Sequence, residues 1–344
     1  MGTPDFALLL CAGLGTRLRP LTDTVPKPLL HFFDRPIAAW AADAVFRVGA
    51  TRVAVNAHAH AVQVQQWTST LRPPDGIAGQ FDIVSNLETA LLGTAGGARE
   101  LWVKLGRPSG TGIIVNGDIV ADFPLDAMLR THRRTGAIAT MMTIPPLHGE
   151  GAVHVDPSHS FMTTLPLQGD TARAPDRVMG EAVGFGGVYI VDATVLAGLQ
   201  HAPGCLIRQG LAPLLAAGAP IAAHHHDGFW ADLGTPARFL HATTAVLRTP
   251  SNFPALRSAF DANGVFVDPE AHVSVDAVLE GPAWIGRGAV VEAGARVGPD
   301  AVVGPECAVR AGAAVHESVL MLGAEVTRQA WQQLLCARAS ARAV

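Results

Sequence analysis

The stretch Leu8-Leu9-Leu10-Cys11-Ala12-Gly13-Leu14-Gly15-Thr16-Arg17-Leu18-Arg19-Pro20-Leu21-Thr22, followed by Pro26-Lys27-Pro28, organises the chain. An apolar run of strand length, Phe6 to Ala12, drops directly into a loop with two glycines, a hydroxyl and two arginines. A buried parallel strand delivers backbone amides to a phosphate in this way. Gly13 and Gly15 let the loop fold tightly with no Cβ in front of its N–H groups, while Arg17 and Lys27 bring charge suited to a polyphosphate. An ordinary strand-to-helix turn also uses Gly-x-Gly, so the glycines alone leave both readings open. Two named phosphate motifs do not fit. A dinucleotide fingerprint needs a third glycine where Leu18 stands, and no Gly-Lys-Ser/Thr of a P-loop is present.

The 344 residues have room for a large domain and a smaller one. With 49% hydrophobic and 16% charged residues the chain reads as globular, and no apolar run approaches membrane-spanning length, so no membrane partner is expected. Met1 to Asp5 lacks the basic start of a secretory signal, which points to a cytoplasmic protein. Cys11, Cys205, Cys307 and Cys336 lie far apart without Cys-x-x-Cys spacing, against a disulfide framework or structural zinc. A formal net charge of −4 without a basic stripe gives no reason to expect nucleic acid. Lysine occurs only at Lys27 and Lys104, so the lysine kept in the glycine loop suggests a use for its compact ammonium.

Downstream, helix-period and strand-period segments alternate: a helix over Ile37 to Val48, a strand over Thr51 to Asn56, a helix over Ala61 to Leu71 and a strand over Phe81 to Ser85. This is the mark of a mostly parallel α/β sheet, whose ligands collect beyond the carboxyl ends of its strands. Glu88 to Gly97, with Gly93-Thr94-Ala95-Gly96-Gly97, opens a further helix, either for close packing or for a ligand. The strand Gly112 to Gly117 ends in Gly117-Asp118, a carboxylate placed for a hard divalent cation or for a surface turn. Ala137 to Ile144 continues the sheet, Pro145 to Arg177 turns irregular, and Gly184 to Asp192 is a strand entered through three glycines. His224 to His226 invite a metal reading, but consecutive strand side chains face opposite ways, which favours a partly exposed strand. Pro236 allows a helix from Ala237 to Leu247.

Residues 249–264 break all periodicity and read as a linker. Beyond them the period becomes six: Val267, Val273, Leu279, Ile285, Val291, Val297, Val303, Val309, Val315 and Met321 are successive sixth residues. Small residues such as Ala289, Ala295, Ala301, Cys307 and Ala313 stand four positions after most of them. Such hexapeptide repeats stack short strands into a triangular parallel β-helix, here over 265–327 in about three coils. Arg328 to Ala343 reads as a closing helix that caps the stack.

Residues Ala12 to Lys27 resemble the signature of the sugar-1-phosphate nucleotidyltransferases, Gly-x-Gly-Thr-Arg-Leu-x-Pro-Leu-Thr followed by Pro-Lys-Pro. With the repeats, the chain is similar to mannose-1-phosphate guanylyltransferase-like and glucose-1-phosphate nucleotidyltransferase-like proteins over nearly its whole length. Val45 to His60 and Leu211 to Ala245 also resemble N-acetylmuramate-1-phosphate uridylyltransferases. The resemblance implies a Rossmann-like, GT-A-like domain over 1–248 and a left-handed β-helix. It implies an NTP and a sugar 1-phosphate as partners, with Mg²⁺ as cofactor, and the coils suggest a homo-oligomer. Arg17 and Lys27 take the catalytic positions. Ala12, Gly13, Gly15, Thr16, Glu88, Gly93, Thr94 and Gly117 match nucleotide-binding positions, with Leu92 to Gly96 resembling the segment that grips base and ribose. Asp118, and Asp232 in Trp230-Ala231-Asp232-Leu233-Gly234-Thr235-Pro236, match the metal carboxylates. Gly187 matches a glycine against the sugar, and Glu181 is a candidate for sugar hydroxyls or for pinning its own loop.

One departure stands out: relatives carry a lysine for the sugar phosphate shortly before the Gly184 strand, and this chain has none there. Arg173 and Arg177 are candidate replacements. The expected substrates are GTP with mannose 1-phosphate, then UTP with an N-acetylated sugar phosphate or dTTP with glucose 1-phosphate. Two rival readings are a catalytically silent NDP-sugar-binding regulatory subunit and a β-helix acyltransferase using His272 or His316, for which three coils make a short groove.

Overall fold

The computed structural model describes residues 2–146, 153–166, 180–250, 253, 256, 260–337 and 339–342. Arg173 and Arg177 lie outside the described residues. In chain order the elements before the coils begin with β1 (Phe6–Leu10), β2 (His31–Phe32), β3 (Arg35–Pro36), α1 (Ile37–Arg47), β4 (Arg52–Ala57), α2 (Ala61–Thr70), β5 (Asp82–Leu87) and α3 (Gly93–Lys104). They continue with β6 (Thr111–Asn116), β7 (Ile119–Ala121), α4 (Leu125–Thr135), β8 (Ala139–Ile144), β9 (Val153–Val155), β10 (Met162–Thr164) and β11 (Glu181–Asp192). The remainder are α5 (Ala193–Ala197), α6 (Ala212–Ala216), β12 (Ile221–His225), β13 (Trp230–Asp232) and α7 (Pro236–Arg248).

The chain divides into two compact units. Met1–Gly13, Ala41–Gly117 and Phe123–Asp227 form the first, and Leu14–Trp40, Asp118–Asp122 and Gly228–Val344 form the second. Residues Leu14–Trp40 and the segment that carries Asp232 thus group with the coils.

The first unit is built on a mixed sheet of order β10-β9-β11-β6-β1-β4-β5, with β8 beside β11 and β12 beside β8. Strands β1, β4, β5 and β6 run parallel, while β11 is antiparallel to both β6 and β8. The central strands are apolar in their middles, where Phe6, Leu8, Ile114 and Val191 are fully buried among Ala98 and Leu101 of α3. From β1 the chain steps to β4 and β5 on one side, then returns to β6 on the other. That reversal opens a crevice at the carboxyl ends of β1 and β6, where Cys11–Gly13 and Gly117 sit.

In the second unit the six-residue period becomes three parallel stacks. Val265–Val267, Ala283–Ile285, Ala301–Val303, Val319–Leu320 and Gln333–Cys336 form one, and the other two have four strands each. This gives four complete coils rather than about three. Ile285, Val291, Val297, Val303, Val309 and Val315 fill the interior with Ala289, Ala295, Ala301, Cys307 and Ala313. Each buried aliphatic side chain contributes roughly 1.5–3 kcal/mol, which lets the stack stand without cross-links; all four cysteines are free.

The closing helix expected over Arg328 to Ala343 is not formed. Gln329–Trp331 and Gln333–Cys336 pair in parallel with Ala314–His316 and Val319–Leu320, and Ala339–Arg342 folds back antiparallel on Gln333–Cys336. The open edge of the last coil offers unpaired N–H and C=O groups, and pairing there outweighs the segment's own helix propensity. A hairpin thus covers the stack's edge. The stretch expected as a linker also contributes to the core, since Phe253 and Leu256 are buried. Phe253 packs on Trp40 at 4.8 Å and on Phe32 at 6.2 Å between ring centroids. Arg248, ending α7, forks onto Asp300 of the coils at 3.0 and 2.6 Å.

Candidate active site

In the first unit a chain of hydrogen bonds ties three strand ends together. Cys11 N donates to Asn56 Oδ1 at 2.6 Å, Asn56 Nδ2 donates to Glu88 Oε1 at 2.7 Å, and Leu92 N donates to Glu88 Oε2 at 3.1 Å. Asn56 and Glu88 are buried, so each exchanges water for these partners and fixes the others. Glu88 therefore orients the turn before α3 and the tip of β1. Ala12 is buried beside it, whereas a Cβ added at Gly13 would meet nothing within 4 Å, leaving the loop backbone open to a ligand. Gly117 N donates to Leu10 O at 2.9 Å, and a Cβ at Gly117 would overlap Cys11 Sγ. Only glycine lets β6 end that close to β1.

Gly93 and Thr94 sit at the start of α3 but are engaged with a neighbouring segment. A Cβ at Gly93 would overlap Gly204 O, and Thr94 Oγ1 accepts Leu206 N at 2.8 Å. Glu181 is exposed, with its Oε2 2.8 Å from His159 Nε2. Gly187 has φ +80° where the β11–β8 register shifts, so it forms a bulge in the long strand. His224 and His225 end β12, and His226 follows the strand. Burial, helped by His226, Arg130 and His225, holds His224 below the usual imidazole range, and His225 pairs with Asp227 at 2.9 Å.

The second unit carries Arg17, Lys27, Asp118, Asp232 and Arg238. Gly15 has φ +64°, and a Cβ there would stand 2.9 Å from Thr22 Cγ2 and 3.1 Å from Lys27 Cβ. Next comes a 3-10 turn, Thr16–Leu18, which buries Leu18 and leaves Thr16 and Arg17 outside. Lys27 is 5% exposed, and its Nζ lies 2.9 Å from Asp118 Oδ2 and 3.2 Å from Asp232 Oδ1. The aspartates meet because β7 and β13 pair antiparallel with Ile119 opposite Asp232. Arg238 Nη1 reaches Asp232 Oδ2 at 2.6 Å, and Arg17 Nη2 stands 4.0 Å from the same oxygen.

Two carboxylates sharing one cation suit a divalent ion of magnesium type, which takes one or two protein carboxylates and completes its octahedron with water and phosphate oxygens. Among the described residues no cluster of three or more His, Cys, Asp or Glu suits a metal, so an all-protein cage does not fit the donor set. In the coils, His272 is exposed and the His316 ring lies against the Gly298 carbonyl.

Two residues of these networks escaped the sequence reading. Asn56 is an amide near the end of an otherwise apolar strand, a signal that was available. Arg238 is a cation in the first turn of a helix, where the helix dipole disfavours it, and that mismatch was the clue.

Residues 6–154 match the nucleotidyl transferase family. A probable mannose-1-phosphate guanylyltransferase 1 of Oryza sativa subsp. japonica is 29% identical over 330 residues, spanning 94% of this chain and 83% of that protein. Mannose-1-phosphate guanyltransferases of Saccharomyces cerevisiae and Debaryomyces hansenii are each 27% identical, over 271 and 276 residues, spanning 77% of this chain and 72% of those proteins. The chain is thus similar over residues 6–154 to the nucleotidyl transferase family, and over most of its length to mannose-1-phosphate guanylyltransferases.

Proposed function

We propose that the chain transfers a guanylyl group from GTP to mannose 1-phosphate, giving GDP-mannose and pyrophosphate, with Mg²⁺ held by Asp118 and Asp232. The observation that carries this reading is Lys27 fixed between the two aspartates with Arg17 beside them. The names of the relatives favour guanine and mannose; UTP or dTTP with another sugar 1-phosphate comes next.

A sugar-phosphate oxygen attacks the α-phosphorus in line. One P–O bond forms, the bond to the β-phosphate breaks, and pyrophosphate leaves with the electron pair. No protein nucleophile is required, so rate comes from alignment and from charge placed where it develops. The amides of Ala12 to Thr16 and the Arg17 guanidinium hold the outer phosphates. Lys27 sets its ammonium against the α-phosphate and the incoming phosphate. Mg²⁺, when bound, neutralises the phosphoryl oxygens. Glu88 and Asn56 fix the backbone of the nucleotide-side turn, and Gly117 keeps the β6 end close to β1. Exposed Val267, Val278, Leu322 and Trp331 on the coils support a homo-oligomer, which light scattering tests.

The test is pyrophosphate release across a matrix of NTPs and hexose 1-phosphates, with and without EDTA. Rapid, Mg²⁺-dependent release with GTP and mannose 1-phosphate is expected. Release with another pair alone overturns the substrate choice. Silence across the matrix, with NDP-sugars still raising the melting temperature, overturns the catalytic reading in favour of a silent binding subunit.

A further inference from the structure

The segment that engages Gly93 and Thr94 also walls a cavity of about 420 Å³ in the first unit. Ala95 of α3 and the six-residue π-helix Leu206–Leu211 complete its lining. The segment is tied to α3 at three places. Ala95 N donates to Gly204 O at 2.9 Å, Arg99 Nε donates to Leu199 O at 3.0 Å, and His201 Nδ1 lies 2.7 Å from Glu100 Oε1. Its position is thus fixed, yet Ala95, Gly198, Ala202, Pro203, Gly204 and Pro213 carry no side chain long enough to fill the space. The polar side chains of the lining are Gln200, Arg208 and Gln209. Arg208 and Gln209 stand on the π-helix, a rare turn that recurs at functional sites. Gln209 Oε1 accepts Cys205 N at 2.6 Å, which leaves the two N–H groups of Nε2 as donors. Arg208 is exposed and makes no hydrogen bond or ion pair among the described residues. The lining therefore offers donors and a full positive charge. Among its described residues there is no carboxylate to hold a cation and no aromatic ring to stack a nucleobase.

We propose that this cavity is a second ligand site, which takes a phosphorylated hexose. The planar guanidinium fork of Arg208 meets two phosphate oxygens at once, and Gln209 Nε2 donates to a third. The sugar hydroxyls meet the Gln200 amide and the glycine-containing wall, where no side chain covers the backbone groups. The volume is in the range of pockets that enclose small metabolites. The occupant lies against Ala95 and Gly204, whose backbone bond closes the turn before α3. The cavity shares no lining residue with the glycine loop, Glu88 or the Lys27 cluster, so its ligand is read independently of the nucleotidyl-transfer reaction. The phosphate sits either on carbon 1 or on carbon 6 of the hexose, and titration separates the two.

The full chain is titrated by calorimetry with mannose 6-phosphate, mannose 1-phosphate, mannose and inorganic phosphate, and the titrations are repeated on Arg208→Ala and Gln209→Glu. A hexose phosphate is expected to bind saturably, with an affinity at least about tenfold lower in Arg208→Ala, the scale of a lost charge-assisted bond. Gln209→Glu keeps an oxygen for Cys205 N and turns the donor into a repelling anion, so it weakens the same binding. Saturable binding of the 6-phosphate names that isomer. A mannose 1-phosphate site that disappears in Arg208→Ala, while initial rates stay at the wild-type level, names the other. Inorganic phosphate or mannose alone binding as tightly as the hexose phosphates overturns the ligand class. No saturable binding, or equal affinities in the wild type and both variants, overturns the site. Should Arg208→Ala not fold, Gln209→Glu reads the same affinities. A wild type inactive with every substrate pair would overturn the proposed function, and the mannose 6-phosphate titration would still decide the cavity.

Discussion

Phe33 meets Trp284 edge to face, with ring centroids 5.3 Å apart and planes at 78°. Phe33 forms the turn between β2 and β3, six residues after Lys27, and Trp284 lies in an inner strand of the coils, stacked on Phe266 at 3.8 Å. The coils are thus packed on the segment that carries the buried lysine. Trp284→Ala is expected to destabilise the protein by about 3–5 kcal/mol and to lower turnover with it, because the cavity undercuts that segment. Trp284→Phe should be far milder, since the indole Nε1 is buried without a hydrogen-bond partner among the described residues. Urea unfolding and initial rates on both variants check this.

Arg17→Ala and Asp118→Ala should each lower turnover by at least about a hundredfold, the scale for removing a charge partner of a transition state. Arg17 is 61% exposed on the side chain, so its removal should leave the melting temperature nearly unchanged. Near-normal rates in either variant would overturn the assigned roles.

Asn56→Ala breaks the chain from Cys11 to Leu92 at its centre, leaving Cys11 N–H and Glu88 Oε1 without their partner. A stability loss of about 1–3 kcal/mol per stranded group is expected. The KM for the NTP should rise more than that for the sugar phosphate, because both ends of the chain lie in the glycine turns. Equal changes in both constants would argue against a nucleotide-side role.

Acid should weaken the fold through His31. Burial, opposed by Asp34, lowers its imidazole from 6.5 to about 4. The unfolded chain takes up a proton below pH 6.5 while the folded one resists until about pH 4, so stability is complete above that window and falls within it. At about 1.4 kcal/mol per pH unit the loss reaches roughly 3 kcal/mol at the acid end. Unfolding free energies measured from pH 7 to 4 should slope downward in the wild type, and His31→Gln should flatten that slope.

Much of the molecule was legible before any coordinates. The apolar run into Gly13-Leu14-Gly15 announced β1 and its loop, and α1, α2 and α7 lie within a residue or two of their expected ranges, because a helix or strand face repeats over a few residues. The sixth-residue aliphatic series announced the coils for the same reason. The count of coils and the closing hairpin were missed, since the spacing shortens after Met321 and the last strands form by pairing with an edge rather than by their own preference. Glu88 stood out in the sequence as a candidate, but its bonds to Asn56 and Leu92 depend on where three strands end.

What the sequence determined by itself is therefore the set of parts: a phosphate loop, two aspartates, a sheet with helices and a six-residue repeat, all written in local spacing. Only the tertiary structure decided that Asp118 and Asp232 share Lys27, because that depends on the antiparallel pairing of β7 with β13 across a long stretch of chain. It alone also placed Arg238 on Asp232, and Trp284 against the segment that follows the phosphate loop. Contacts of that kind are fixed by loop closure and core packing, which no local period encodes.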